Sequence, residues 1–403
     1  SAGSTEAVAP LVLDLSRMQI KLAGSFGLCF GVANAIHTAE RALRENPDRR
    51  IFLLSEMIHN PLVNQDLSRD GVRFIFAPSG EQLVPFSELT PDDILLIPAF
   101  GAPLEILDNL KTTAQPRIYD ATCPFVQRVW KTAKKFQERG FTAVIHGKPS
   151  HAETRATFSR CCRAGAALII SGIAAAKVLS AYISGLISAE HLLAQFTGMT
   201  SHSFNAARDL TRLGVVNQTT MSAAETAEIS RLLREALIAR YGEAQIDEHW
   251  YDTGDTLCYA TDRNQSSLIR LLDAGGDLAL VVGGYNSSNT AHLAALASSR
   301  VPTYHIQDAD EILDLSHIRH FDYSSGKITE SQAWFPTSLT CPVVLISAGA
   351  SCPDTIVERV LLRLAELTGC TEELEPVINK LVEGRQVPPD ATLATSPILG
   401  LNG

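Results

Sequence analysis

Three times along this chain a short apolar run ends in a tight turn, presents a cysteine and passes directly into a helical pattern. The clearest instance is Tyr119-Asp120-Ala121-Thr122-Cys123-Pro124-Phe125-Val126. Arg117 to Tyr119 reads as the end of a strand, and Pro124 suits a first helical position. Val126, Val129, Trp130 and Ala133 then recur at helical spacing. Cys258 repeats the arrangement, with Asp255-Thr256-Leu257 before it and a helical stretch from Tyr259 to Leu272 after it. Cys29 is reached from a strand at Ile20 to Leu22 through Gly24 to Gly27, and opens a helix over Ala33 to Leu43. A helix N-terminus offers unpaired N–H groups and partial positive charge, which predicts thiols poised as thiolates. Three such turns on separate units predict a convergent ligand set and three similar α/β domains around one centre.

The rest of the chain is consistent with that architecture. Strands are expected at Ile51 to Leu54, Val72 to Phe76, Ile94 to Pro98, Ala143 to His146, Ala167 to Ile170, Gly214 to Asn217, Leu278 to Val282, Pro302 to His305 and Val343 to Ser347. Helices are expected at Leu62 to Asp70, Ala174 to Ile183, Ala223 to Tyr241, Ser287 to Ala297 and Thr355 to Leu367. Alternation of this kind implies α/β units with parallel sheets. The expected division is an extension over 1–20, a strand and first cysteine turn over 21–30, and domains over 31–122, 123–254 and 255–370. A surface insertion is expected at about 188–204, and a tail over 371–403, poorly ordered from Pro376 onward. Ser1 to Arg17 lacks the charged and apolar regions of a signal peptide and reads as a trimmed end. The most apolar stretch, Ala164 to Ile187, contains Lys177, three serines and three glycines, and divides into a strand and a helix rather than one span. A net charge of −10 with no basic face argues against a nucleic-acid partner.

Eight cysteines in 403 residues are too few for a disulfide scaffold, and none form a Cys-x-x-Cys pair. The three turn cysteines are 94 and 135 residues apart, unlike the short spacings of zinc ribbons or ferredoxins. Cys161, Cys162, Cys341, Cys352 and Cys370 sit at no shared position and read as structural. A second polar set stands at the remaining strand ends: Ile58-His59-Asn60-Pro61, His146 through Thr154, Asn217-Gln218-Thr219-Thr220, Gly283 through Thr290 and Ala348 through Pro353. Strand, then glycine with hydroxyl or amide residues, then helix is how backbone N–H groups meet an anion. No Walker lysine and no dinucleotide glycine pattern is present. The set points to a small phosphorylated or diphosphate ligand at His59, His151, Ser287, Asn289 and Ser351, against the plainer reading of each as a cap or turn residue.

Taken in order, Gly27-Leu28-Cys29-Phe30-Gly31-Val32, Ala121-Thr122-Cys123-Pro124, Asn217-Gln218-Thr219-Thr220, Asp255 through Thr261, Val281 through Asn289 and Ala348-Gly349-Ala350-Ser351 resemble the motifs of 4-hydroxy-3-methylbut-2-enyl diphosphate reductases of the LytB/IspH type. The resemblance runs from about Lys21 to Leu367. It implies a trefoil of three similar α/β domains around a [4Fe-4S] cluster held by Cys29, Cys123 and Cys258, with one iron lacking a protein ligand. It implies the last step of the methylerythritol phosphate route, giving isopentenyl and dimethylallyl diphosphate. Glu153, directly or through Thr219, is then the proton source. His59, His151, Ser287, Ser288, Asn289 and Ser351 become the diphosphate site, with Gln218 and Asn286 in support. Electrons are expected from a ferredoxin or flavodoxin.

Phe100 stands where short bacterial members carry a second diphosphate-side histidine, and Asn34 where an Arg is common. Ser150 through Thr154 resembles the longer cyanobacterial and plastid form, which implies a plastid or apicoplast matrix, with bacterial cytoplasm as the alternative. Three rival readings compete: a sugar- or nucleotide-phosphate enzyme with inert cysteines, a non-catalytic metal-stabilised binding module, and a redox sensor using Cys161 and Cys162.

Overall fold

Ile94-Leu95-Leu96-Ile97, Thr142 to His146 and Leu278 to Val282 are buried at every position. A strand with both faces covered needs helices on either side, which is the situation of a parallel sheet. In the computed structural model, which describes residues 9–254, 256 and 258–383, these runs are inner strands of three separate sheets.

In chain order, β1 (Leu11–Leu15) and β2 (Met18–Leu22) form a hairpin before α1 (Phe30–Glu45). The next block holds β3 (Ile51–Leu53), α2 (Pro61–Arg69), β4 (Val72–Phe74), β5 (Ile94–Ile97), α3 (Leu104–Thr113) and β6 (Arg117–Asp120). Its sheet is parallel, in the order β4-β3-β5-β6. Next come α4 (Pro124–Gln137), β7 (Thr142–His146), α5 (Ala152–Ala164), β8 (Ala167–Ile170), α6 (Ile173–Ile183) and α7 (Ala189–Gln195). They lead to α8 (Ala206–Asp209), β9 (Leu213–Asn217), α9 (Ala223–Tyr241), α10 (Ile246–His249) and β10 (Trp250–Tyr251). The second parallel sheet runs β10-β9-β7-β8. The last block is α11 (Tyr259–Asp273), β11 (Leu278–Val282), α12 (Ser288–Ser298), β12 (Thr303–Ile306), β13 (His317–Asp322) and β14 (Lys327–Gln332). It closes with β15 (Val343–Ala348), α13 (Asp354–Thr368) and α14 (Thr371–Glu383).

The third sheet, β1-β2-β15-β11-β12, is parallel except for the β1–β2 hairpin at its edge. Here the structure departs from the expected N-terminal extension. Leu11 to Leu15 is a strand, and Leu13, Leu15 and Met18 are buried in the core of this last block. The alternation of Leu11, Leu13 and Leu15 is the period-2 signal of a half-buried strand.

Two further expectations are corrected. The stretch 188–204 is not a surface insertion, because α7 places Leu192 and Phe196 in the core beside α6 and α9. The amide of Ile169 also donates to the carbonyl of Met199 at 2.8 Å. Pro376 to Glu383 belongs to α14 rather than to a tail, with Pro376 inside the helix; residues from 384 lie outside the described set. Leu374 is buried, and Val377 and Ile378 pack against the same core. Glu373 accepts from the amide of Ser16 at 2.7 Å and from its hydroxyl at 2.5 Å, tying α14 to the β1–β2 turn. The β13–β14 hairpin was not anticipated either, since its Lys-, Glu- and Ser-rich second strand is largely exposed. Among the described residues no helix is long and apolar enough to cross a membrane.

Candidate active site

All three turn cysteines are helix N-caps: Cys29 of α1, Cys123 of α4 and Cys258 of α11. Each turn is fixed from a neighbouring block. The Cys29 amide donates to Ala350 at 3.1 Å, that of Cys123 to Ala99 at 2.9 Å, and that of Cys258 to Thr219 at 3.3 Å. Before Cys123, the Asp120 carboxylate accepts from the Thr122 amide at 2.9 Å and hydroxyl at 2.5 Å, closing the turn. Thr256 donates to Asn217, while Asp255 and Leu257 lie outside the described residues.

The three thiols line one cavity with His59, Phe100, His151, Glu153, Thr219, Ser287, Ser288, Asn289 and Ser351. Gly31 is required beside them, because a Cβ there would stand 2.4 Å from Cys123 Sγ. First-turn amides face each sulfur: Gly31 and Val32 toward Cys29, Phe125 and Val126 toward Cys123, Ala260 and Thr261 toward Cys258. Burial outweighs those amides and raises all three thiols, Cys123 to about 12, with the other turn cysteines adding to the effect at Cys29 and Cys123 and Glu153 adding to it at Cys258.

Glu153 lies in the first turn of α5 and is 2% exposed. Its two oxygens accept from the Thr219 amide at 2.6 Å and the Thr219 hydroxyl at 2.9 Å. Burial pushes its carboxyl up to about 7 against these two bonds, which pull it down. Glu153 can therefore hold a proton at neutral pH and release it at little cost. The buried carboxyl and the three thiols thus share one enclosed space.

The imidazoles form a directed chain. The Glu153 amide donates to His151 Nδ1 at 3.2 Å, which leaves the proton of a neutral His151 on Nε2. That nitrogen faces His59 Nε2 at 3.1 Å, and His59 Nδ1 faces Glu56 Oε2 at 3.4 Å. Burial pushes His151 well below the ordinary imidazole range, with the charges of His59 and Lys148 adding to the effect. Phe100 stacks on His59 with ring centres 4.1 Å apart.

The expected anion-binding residues are brought together as well. Ser287 is the N-cap of α12, accepting from the Thr290 amide at 3.3 Å, so its plainer reading as a cap holds at the same time. Asn289 Oδ1 accepts from the Ala350 amide at 2.9 Å, and its buried Nδ2 has no protein partner. An orphaned buried donor in a site of this kind is what an anionic ligand satisfies. Ser351 donates to the His59 carbonyl at 3.2 Å. Gln218 links three elements, donating to Thr220 and Ser288 and accepting from the Lys148 amide and the Thr154 hydroxyl. Asn286 is turned outward and donates to Glu56 at 2.8 Å.

Sequence reasoning missed Glu56, Lys148 and Arg155. Glu56 sits three residues before His59 and joins it to Asn286. Lys148 and Arg155 are exposed and line a vestibule of ≈ 470 Å³ that shares His59, Phe100, His151 and Ser288 with the cavity. The one available signal was the place of Lys148 in the His146 to Thr154 stretch and of Arg155 directly after it. Of the remaining cysteines, Cys161, Cys352 and Cys370 are buried, Cys162 is half-buried and Cys341 is exposed.

The residues fit the implied cluster. Three free thiols face one space from three helix N-termini, and Gly31 leaves room beside two of the sulfurs. Among the described residues no group of three or more His, Cys, Asp or Glu is set to hold a single metal ion. A cube binds each thiolate through a different iron, so its ligands stand further apart than those of one ion.

The sequence profile of the LytB protein family matches residues 20–365. A 4-hydroxy-3-methylbut-2-enyl diphosphate reductase from Prochlorococcus marinus (strain MIT 9313) is 38% identical over 358 residues, covering 89% of this chain and 87% of its own. The reductase of the same name from Gloeobacter violaceus (strain ATCC 29082 / PCC 7421) is 37% identical over 359 residues, covering 88% and 84%. The solved structure of the E-1-hydroxy-2-methyl-but-2-enyl-4-diphosphate reductase from Plasmodium falciparum covers 91% of this chain and 99% of its own, with a TM-score of 0.63 at 19% identity, a likeness of fold. The chain belongs to the LytB protein family.

Proposed function

We propose that this chain is a 4-hydroxy-3-methylbut-2-enyl diphosphate reductase, the oxidoreductase that ends the non-mevalonate route to isoprenoid precursors. The observation that carries the reading is the meeting of three helix-capping thiols, a protonatable buried carboxyl and an anion site in one cavity. Per turnover the allylic C–O bond breaks, a C–H bond forms, and two electrons and two protons are consumed as water leaves. Protonation at one carbon gives isopentenyl diphosphate, and at the other dimethylallyl diphosphate.

Cys29, Cys123 and Cys258 would hold the [4Fe-4S] cluster, which when bound supplies the electrons and an iron without a protein ligand for the substrate hydroxyl. The chain's own residues do the rest. His59, His151, Ser287, Ser288, Asn289 and Ser351 bind the diphosphate, with the orphaned Asn289 amide as a ready donor. Glu153 holds the proton that leaves with the hydroxyl, and Thr219 orients that carboxyl through two hydrogen bonds. Gln218 and the outward-facing Asn286 support the turns on either side. A ferredoxin or flavodoxin is the proposed donor. The proposed setting is a plastid or apicoplast matrix, with bacterial cytoplasm as the alternative; cyanobacterial relatives are compatible with either.

Anaerobic purification followed by iron and sulfide analysis tests the reading. A brown chain with about four irons that reduces the substrate supports it. A colourless chain with full activity overturns it.

A further inference from the structure

The vestibule serves the diphosphate end of the cavity, and a different opening lies on the cysteine side. A groove of ≈ 570 Å³ is lined by Phe30, Phe125, Tyr259, Arg263 and the exposed carboxylate Asp354, and by Cys29 and Gly31. The last two also line the cavity, so the same two residues bound both spaces. Each turn cysteine is followed within two residues by one of these aromatics, at Phe30, Phe125 and Tyr259. Phe30 is 68% exposed and Tyr259 42%, among the most exposed large apolar side chains described. Arg263 lies over the Tyr259 ring at 5.4 Å.

Charge sets the kind of partner. Helix α4, capped by Cys123, carries Arg128, Lys131, Lys134 and Lys135, with no Asp or Glu between Pro124 and Gln137. All four are exposed, in a chain whose net charge is −10. Arg128, Lys131 and Lys135 fall at helical spacing and form one stripe beside the Phe125 edge of the groove. The exposed aromatics have the α4 cations along their Phe125 side and Arg263 at Tyr259, with Asp354 the one carboxylate among the described residues of the groove lining. The surface is thus an apolar centre with a mainly basic flank that suits an acidic protein.

We infer that this groove and the α4 stripe are the docking surface of an acidic one-electron carrier protein. The inference rests on the reductase reading, which requires two electrons from outside per turnover. Two reduced carriers dock in succession, each giving one electron and leaving oxidised. The substrate enters by the vestibule, so the carrier and the diphosphate use separate walls of the cavity.

The test uses the cluster-loaded chain, an acidic plant-type [2Fe–2S] ferredoxin, and dithionite with methyl viologen as a chemical reductant. The charge-reversal pair Lys131→Glu/Lys135→Glu should raise the KM for reduced ferredoxin and weaken binding of oxidised ferredoxin by about ten- to a hundredfold at low salt. Phe30→Ala should weaken the same binding about tenfold. Viologen-driven turnover and the visible absorption of the cluster should be unchanged in the charge-reversal pair. Ferredoxin binding unaltered by the charge reversal would overturn the surface, as would an equal fall in both turnover rates. An unmodified chain that turns over with neither reductant would sink the reductase reading instead, and the binding titration would still decide the surface on its own.

Discussion

At the scale of single residues, Glu153 carries the most specific chemistry. Two residues of the 151–153 turn have separate tasks: His151 caps α5, receives the Glu153 amide and reaches His59, while Glu153 faces inward to Thr219. The motif brought Glu153 forward from the sequence, where an acid in a polar turn otherwise reads as solvated. Its burial came from packing against the Thr219 turn of another strand, which no local pattern encodes. Replacing Glu153 with Gln keeps the shape and removes the acid, so substrate should still bind while turnover falls by ~10²–10⁴. His59→Ala should act the other way, weakening diphosphate binding about ten- to a hundredfold through loss of a charge-assisted hydrogen bond. Steady-state kinetics and equilibrium binding on both variants separate the two roles. The pH dependence has a definite sign. The carboxyl, raised to about 7, acts as a proton donor only when protonated, so kcat/KM should decline as pH rises through that value. A rate rising steadily to pH 9 would exclude Glu153 as the donor.

At the scale of elements, the three helices α1, α4 and α11 were the most legible part of the chain. Each has a cysteine cap and an apolar face at helical spacing, and Pro124 marks one start. The strands between them were also legible, because runs such as Ile94 to Ile97 are apolar throughout. What the sequence hid were elements whose partners lie far away in the chain. Strand β1 is stable only because β2 carries it to the edge of a sheet completed by β15, more than three hundred residues later. Helix α14 contains Pro376, which argues against a helix locally, yet Leu374 finds a core and Glu373 finds Ser16. Leu374→Ala should therefore cost about 2–5 kcal/mol by denaturant unfolding, the usual cost of deleting a buried leucine side chain. A loss within experimental error of zero would return α14 to the status of a tail. Gly31 shows the same dependence at the site. A Cβ 2.4 Å from Cys123 Sγ must displace the sulfur, so Gly31→Ala should lower iron content while far-UV circular dichroism stays native.

At the scale of the whole molecule, three sheets supply the walls and no single block supplies the site. The cysteines cap helices that follow three different blocks, and burial raises all three thiols above their ordinary value. The same burial makes the fold acid-sensitive. His146 and His305 are 0% and 2% exposed at strand ends, and burial lowers both to about 4. The unfolded chain binds these protons more tightly, so stability is fully present above the ordinary imidazole value and is lost as pH falls from there through about 4. The loss is on the order of 3 kcal/mol for each group. Unfolding midpoints measured between pH 7 and pH 4 should fall, and replacing His305 by a neutral residue of similar shape should flatten that fall. The central claim, that Cys29, Cys123 and Cys258 jointly hold a cluster that reduces the diphosphate, is tested most directly by iron content and turnover in Cys258→Ser beside Cys370→Ser, both prepared without oxygen. The account predicts that Cys258→Ser loses iron and all turnover, while Cys370→Ser keeps about four irons per chain and its rate. Full iron content with full activity in Cys258→Ser would contradict it.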